Sequence, residues 1–157
     1  MASKRIELLG TMPAFGGLKT ESLKFILRQS VEVVTRVDDY FFHEGEPGDS
    51  LFVIEAGTAI VQRIWQGEAI VLGRFGAGDC FGEMALIDFQ PRSASVKAES
   101  NCRAIEVPSK SLRSLYQQDV EQYAMIMMNL GREVSRRLRV ADENLFQLQQ
   151  NMQRTSS

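Results

Sequence analysis

The sequence predicts an α+β chain that is mainly β, a sandwich or barrel of short strands with helices at both ends. Three observations carry that expectation. Short β-rich runs recur at roughly ten-residue intervals across residues 31–108, separated by Gly-rich turns. Apolar residues at helical spacing are confined to the two flanks. Residues 81–94 alone interrupt the strand rhythm with a glycine, a carboxylate, one apolar helical turn and an arginine.

The bulk properties narrow the function. A chain of 157 residues suits one domain. With 44% hydrophobic and 24% charged residues it has ordinary globular composition. A net charge of −2 argues against a general nucleic-acid or membrane-surface role. No apolar run is long enough to span a bilayer, and charges near the start leave no readable signal peptide. Cys80 and Cys102 are too few for a disulfide scaffold or metal cluster and read as small buried hydrophobes. The expected compartment is the cytoplasm.

Residues 1–30 form the expected N-terminal helical segment. A short helix over 4–11 ends in a turn containing Pro13, Gly16 and Gly17. A second helix carries Leu23, Ile26 and Leu27 on one side, with Thr20 as its expected cap. Residues 31–108 form the barrel. Its runs include Val31–Val34, Tyr40–His43, Leu51–Ile54, Thr58–Val61, Ala69–Leu72, Ala94–Val96 and Ala104–Val107. His43, the single histidine, is expected to close its strand. Residues 109–152 are helical, with Ser109 as the expected cap of a first piece ending near Gln118.

The longer piece, from about Val120 to Met152, contains no proline and would extend roughly 50 Å at about 1.5 Å per residue. Its apolar seam runs Val120, Tyr123, Met127, Leu130, Val134, Leu138, Ala141, Leu145, Leu148 and Met152, a heptad pattern with one stutter after Val134. The first half is expected to pack on the barrel and the second on another copy of the chain. Residues 153–157 read as a frayed polar tail.

Segment 81–94 has the chemistry of an anion seat. Gly82 permits a sharp turn and close approach. The Glu83–Ile87 run suits one helical turn whose first N–H groups have no intrahelical partners. Arg92 supplies a permanent charge with a planar donor fork suited to phosphate, and Ser93 and Ala94 leave room beside it. Glu83 would repel phosphate, so its expected task is to accept from a hydroxyl. The plainer alternative is a strand, turn and strand whose Glu83 and Arg92 pair on the surface.

Phe81-Gly82-Glu83-Met84-Ala85-Leu86, followed by Pro91-Arg92-Ser93-Ala94, resembles the phosphate-binding cassette of cyclic-nucleotide-binding domains. That family includes catabolite activators, regulatory subunits of cyclic-AMP-dependent kinase and nucleotide-gated channels. The resemblance implies a jelly-roll β-barrel with N-terminal helices and a long C-terminal helix acting as lid and dimerisation element. It implies that Arg92 binds the cyclic phosphate with the N–H groups near Met84 and Ala85, and that Glu83 binds the ribose 2′-hydroxyl. Gly82, Ser93 and Ala94 complete the seat. Val61 and Leu72 would line the wall beneath sugar and base, with barrel core as their alternative reading. The expected ligand is 3′,5′-cyclic AMP, with cyclic GMP as rival. Ser93 suits both.

The sequence departs from the catabolite-activator pattern on the long helix. Ala141-Asp142 replaces the Thr-Ser pair that contacts adenine there, and Asp142 suits the donor edge of guanine or plain solvation. The basic cluster Arg132, Arg136, Arg137 and Arg139 reads as a solvated helix face, with Arg137 implied to lie near Glu83. The chain ends at Ser157 without the helix-turn-helix that follows in catabolite activators, so DNA binding by itself is not expected. No catalytic constellation is readable, so the expectation is a non-enzymatic receptor without cofactor or metal, signalling to an effector protein. The alternative is a degenerate relative that dimerises and interacts without ligand.

Overall fold

In the computed structural model, which describes residues 2–156, helices bracket two four-stranded antiparallel sheets. Helix α1 (Ala2–Thr11), a 3-10 turn (Pro13–Phe15) and α2 (Thr20–Arg28) lead into β1 (Val31–Thr35). Thr20 is the first residue of α2 and not its cap. Lys19 holds the cap position without a side-chain cap bond, and its N–H donates to Gln122 Oε1 at 2.8 Å.

The remaining strands are β2 (Tyr40–Phe42), β3 (Ser50–Ala56), β4 (Ala59–Trp65), β5 (Glu68–Phe75), β6 (Cys80–Phe81), β7 (Ser95–Ala98) and β8 (Cys102–Pro108). One sheet has the order β1-β8-β3-β6 and the other β2-β7-β4-β5, the jelly-roll arrangement. His43 lies just beyond the end of β2, its Nδ1 3.0 Å from Glu46 Oε1. Strand β3 explains the two-part core. Its side chains alternate across the sheet, so Leu51 and Val53 join a cluster with helical residues such as Phe15, Ile26, Leu115 and Leu130. Phe52 and Ile54 point the other way and pack with Phe42, Phe81 and Val96 between the sheets.

One helical turn, α3 (Met84–Asp88), interrupts the strands. After β8 come α4 (Ser109–Gln118) and α5 (Val120–Thr155). Pro108 occupies the cap position of α4, and Ser109 is its first residue. Asp119 is extended at φ −150° and separates the helices, while its carboxylate accepts from the Gln122 N–H at 3.2 Å.

Helix α5 corrects two expectations. It stays helical to Thr155, through most of the stretch read as a frayed tail, and Ser157 lies outside the described residues. The seam read from the sequence also merges two faces. Gln122, Ile126 and Leu130 are buried against the domain. The free stripe instead runs Met128, Gly131, Ser135, Leu138, Asp142, Leu145, Gln149 and Met152, with steps of three and four and no stutter. Every residue from Leu138 to Gln149 is exposed, so the helix leaves the domain there. No described helix is long and apolar enough to cross a membrane.

Candidate functional site

The interruption between β6 and β7 builds a cleft. Gly82 adopts φ 84°, a left-handed conformation that favours glycine, and a Cβ there would stand 2.7 Å from Arg92 Nη1. Glu83 follows, and its carbonyl accepts from the Leu86 N–H at 3.0 Å to start the α3 turn. Phe89, left-handed at φ 57°, closes that turn by donating its N–H to the Ala85 carbonyl at 3.1 Å. The chain then passes through Pro91 to Arg92, whose backbone is clamped to the loop before β3. Arg92 N–H donates to the Glu46 carbonyl and Gly45 N–H to the Arg92 carbonyl, both at 2.8 Å.

The Arg92 side chain is only 6% exposed. Its Nη1 donates to the Gly82 carbonyl at 2.9 Å and its Nη2 to the Ser50 carbonyl at 2.8 Å. The guanidinium lies over the Phe42 ring, 4.0 Å from its centroid, and Nε is buried without a partner. Burial lowers its pKa, while Asp49, Glu106, Glu46 and Glu83 act in the opposite direction. Yet among the described residues no carboxylate reaches ion-pair distance of it. An anion entering the cleft would meet a cation that no carboxylate contacts directly, in a site of low dielectric.

Glu83 is 1% exposed. One carboxylate oxygen accepts from Arg137 of α5, and the other, Oε2, is buried without a partner. Burial holds this carboxyl above the usual range, and the Arg137 charge opposes that rise. Arg137 also donates to the Cys80 carbonyl at 2.7 Å, pairs with Glu133 at 3.3 Å, and lies 5.1 Å from the Phe75 ring centroid. The same arginine therefore ties the long helix to the strand before the cassette and to its carboxylate. The buried Cys80 thiol beside them is pushed up to about 12, first by burial and then by Glu83.

The cleft brings together Gly82, Glu83, Met84, Ala85, Arg92, Ser93, Ala94 and Val61, eight of the residues expected from the sequence. Leu72 does not join them. Val61 pairs with Gly73 and Gln62 with Val71, so Leu72 is the extra residue of a β-bulge and its side chain is 59% exposed. Asp142 is also outside, exposed on the free part of α5 beyond Arg137. The surface-pair alternative fails because Glu83 and Arg92 are both buried and make no ion pair with each other.

Other contributors were not expected. Phe42 and Phe75 supply ring faces, Ser50 supplies a carbonyl, and Gly48 gives space. A Cβ on Gly48 would lie 2.7 Å from both Arg92 Nε and Ala85 Cβ. The only sequence signal at Gly48 is a turn-forming cluster. The orphan Arg92 Nε and Glu83 Oε2 mean that the cleft has donor and acceptor capacity that the protein does not satisfy itself. That set fits a ligand carrying both an anionic group and a hydroxyl.

Comparison with known proteins agrees with this chemistry. Residues 32–119 match the cyclic nucleotide-binding domain family. The CRP-like cAMP-activated global transcriptional regulator of Mycobacterium tuberculosis is 32% identical over 143 residues, which cover 90% of this chain and 62% of the regulator. The chain thus spans about three fifths of that relative. The catabolite activator protein of Thermus thermophilus superposes with a TM-score of 0.74 at 28% identity, covering 87% of this chain and 62% of that one. A cyclic nucleotide-binding domain from Methylobacillus flagellatus shares the fold with a TM-score of 0.80 at 23% identity over 92% of this chain and 82% of its own. With the family match covering more than half the chain, this protein belongs to the cyclic nucleotide-binding domain family.

Proposed function

We propose that the chain is a non-enzymatic cytoplasmic receptor for a 3′,5′-cyclic nucleotide, cyclic AMP in preference to cyclic GMP, that signals through α5 to an effector protein. The observation that carries this reading is the buried Arg92 guanidinium with no counter-carboxylate among the described residues, facing a cleft it shares with Glu83. The cyclic phosphate is the anion for Arg92 and the first-turn amides of α3, and the ribose 2′-hydroxyl is the donor for Glu83 Oε2. Val61 and Phe75 offer apolar surface. The preference for cyclic AMP is supported by the cAMP-activated relatives. It is also supported by Asp142, the residue suited to guanine, lying outside the cleft.

Arg137 is the route to the helix. A ligand hydroxyl on Glu83 changes the field around the carboxylate that Arg137 holds, so binding shifts the helix only through a difference in affinity between two of its positions. The uninterrupted exposed stripe from Met128 to Met152 supports a homodimer through α5. It also favours the second reading, a module that dimerises without ligand. Thermal-shift titration with cyclic AMP, cyclic GMP and cyclic dinucleotides separates the two. At a hundredfold excess over Kd, ligand adds about 2.7 kcal/mol, or roughly 5–10 °C for a chain of this size. A shift with cyclic AMP supports the receptor, and no shift with any of them leaves the dimerisation module.

A further inference from the structure

Arg92 and Arg137, the two arginines that line the cleft, rest on opposite ends of one row of phenylalanines. Phe42, buried on β2, lies under Arg92 and packs against Phe52 at 5.9 Å and Phe81 at 6.0 Å between ring centroids. Phe52 and Phe81 stack at 5.3 Å and 12°. Phe81 in turn stacks on Phe75 at 5.5 Å and 17°, and Phe75 faces Arg137. The Phe42 ring is thus held by its neighbours and cannot follow a guanidinium that tilts.

Arg92 needs that restraint. Its bonds to the Gly82 and Ser50 carbonyls fix one edge of a planar group and leave rotation about the line joining them. The ring face removes that freedom, and its quadrupole favours the cation at contact distance, where no carboxylate among the described residues reaches it. An aliphatic side chain of similar size would fill the space and supply neither effect.

We propose that Phe42 is a positioning residue for Arg92, its ring face setting the plane in which the guanidinium meets the anionic part of the ligand. This rests on reading the cleft as a cyclic-nucleotide seat. Three of the five N–H donors of Arg92, including that on Nε, remain after the two carbonyls are served. Conjugation keeps those three in one plane, and the ring orients that plane toward the phosphate oxygens.

The test replaces Phe42 in the full chain in two ways. Phe42→Leu removes the ring, and pentafluorophenylalanine at position 42 reverses its quadrupole with little change of shape. Cyclic AMP affinity is measured by calorimetry, and the Arg92 Nε–H resonance is read without nucleotide and assigned by its loss in Arg92→Lys. Both replacements should weaken cyclic AMP binding roughly five- to thirty-fold, the factor expected of a desolvated cation–π contact. The Arg92 resonance, shifted upfield by the ring in the unaltered chain, should move downfield in Phe42→Leu. Wild-type affinity in the fluorinated chain, or an Arg92 resonance unshifted in the unaltered protein, overturns the proposal. If the unaltered chain binds no cyclic nucleotide, the receptor reading fails while the resonance still decides whether Phe42 positions Arg92. The wild-type and fluorinated spectra decide it even if Phe42→Leu does not fold.

Discussion

Gly48→Ala adds one methyl group against the guanidinium that the site depends on. Gly48 does not have the positive φ of the turn glycines, so the substitution carries no left-handed backbone strain and its effect is steric. The new Cβ would stand 2.7 Å from Arg92 Nε, 2.9 Å from Arg92 Cζ and 2.7 Å from Ala85 Cβ, where ordinary contact begins at 3.4 Å. Ala85 is on the cassette helix, so the methyl group pushes on both halves of the anion seat at once. Arg92 cannot retreat without stretching its bonds of 2.9 and 2.8 Å to Gly82 and Ser50. Overpacking of this kind costs about 1–3 kcal/mol, and each weakened bond to a charged group about 1.5–3 kcal/mol where it is lost. The expected result is a Tm lower by roughly 2–12 °C and cyclic AMP affinity reduced at least tenfold. Differential scanning calorimetry and isothermal titration measure the two. A variant with unchanged Tm and unchanged affinity would show that Arg92 is not held where the structure places it.

Four other outcomes follow from the structure. A hydroxyl donated to Glu83 favours its charged form, so cyclic AMP affinity should decline as the pH is lowered through the raised Glu83 value, and Glu83→Gln should flatten that slope. In the ligand-free protein the raised value means that the folded state holds more protons, so the contribution of Glu83 to stability falls as the pH rises from the unfolded carboxylate value to the folded one. Leu145→Glu, on the free stripe of α5 and 55% exposed, should leave the Tm of the domain within about 2 °C and convert a dimer to a monomer in sedimentation velocity. Cys80, buried with its thiol near 12, should resist alkylation at pH 8 in the folded protein and react on unfolding.

The cassette was legible because its parts are contiguous. Gly82, Glu83, the α3 turn and Arg92 meet through local turn geometry that fourteen residues of sequence specify. Phe42, Gly48, Ser50 and Phe75 were not legible as site residues, because strand pairing and loop contacts bring them to Arg92 and Arg137 from far along the chain. Leu72 illustrates the limit of the resemblance, since the extra residue in β5 leaves exposed a side chain that was expected to line the wall. On α5 the period was readable but the face was not. Apolar residues that meet the barrel and those that remain free share one helix, and only the docking of Ile126 and Leu130 tells them apart.

The proposed receptor turns on Arg92, a buried arginine with no ion-pair partner among the described residues, seating the cyclic phosphate. Isothermal titration of cyclic AMP into the full chain and into Arg92→Ala, with near-ultraviolet circular dichroism to show that the variant keeps its packing, tests it most directly. Loss of two hydrogen bonds from a charged group, at roughly 1.5–3 kcal/mol each, weakens binding on the order of a hundredfold or more. Saturable binding by the unaltered chain that disappears in a folded Arg92→Ala is the predicted result. Equal affinity in the two proteins would contradict it.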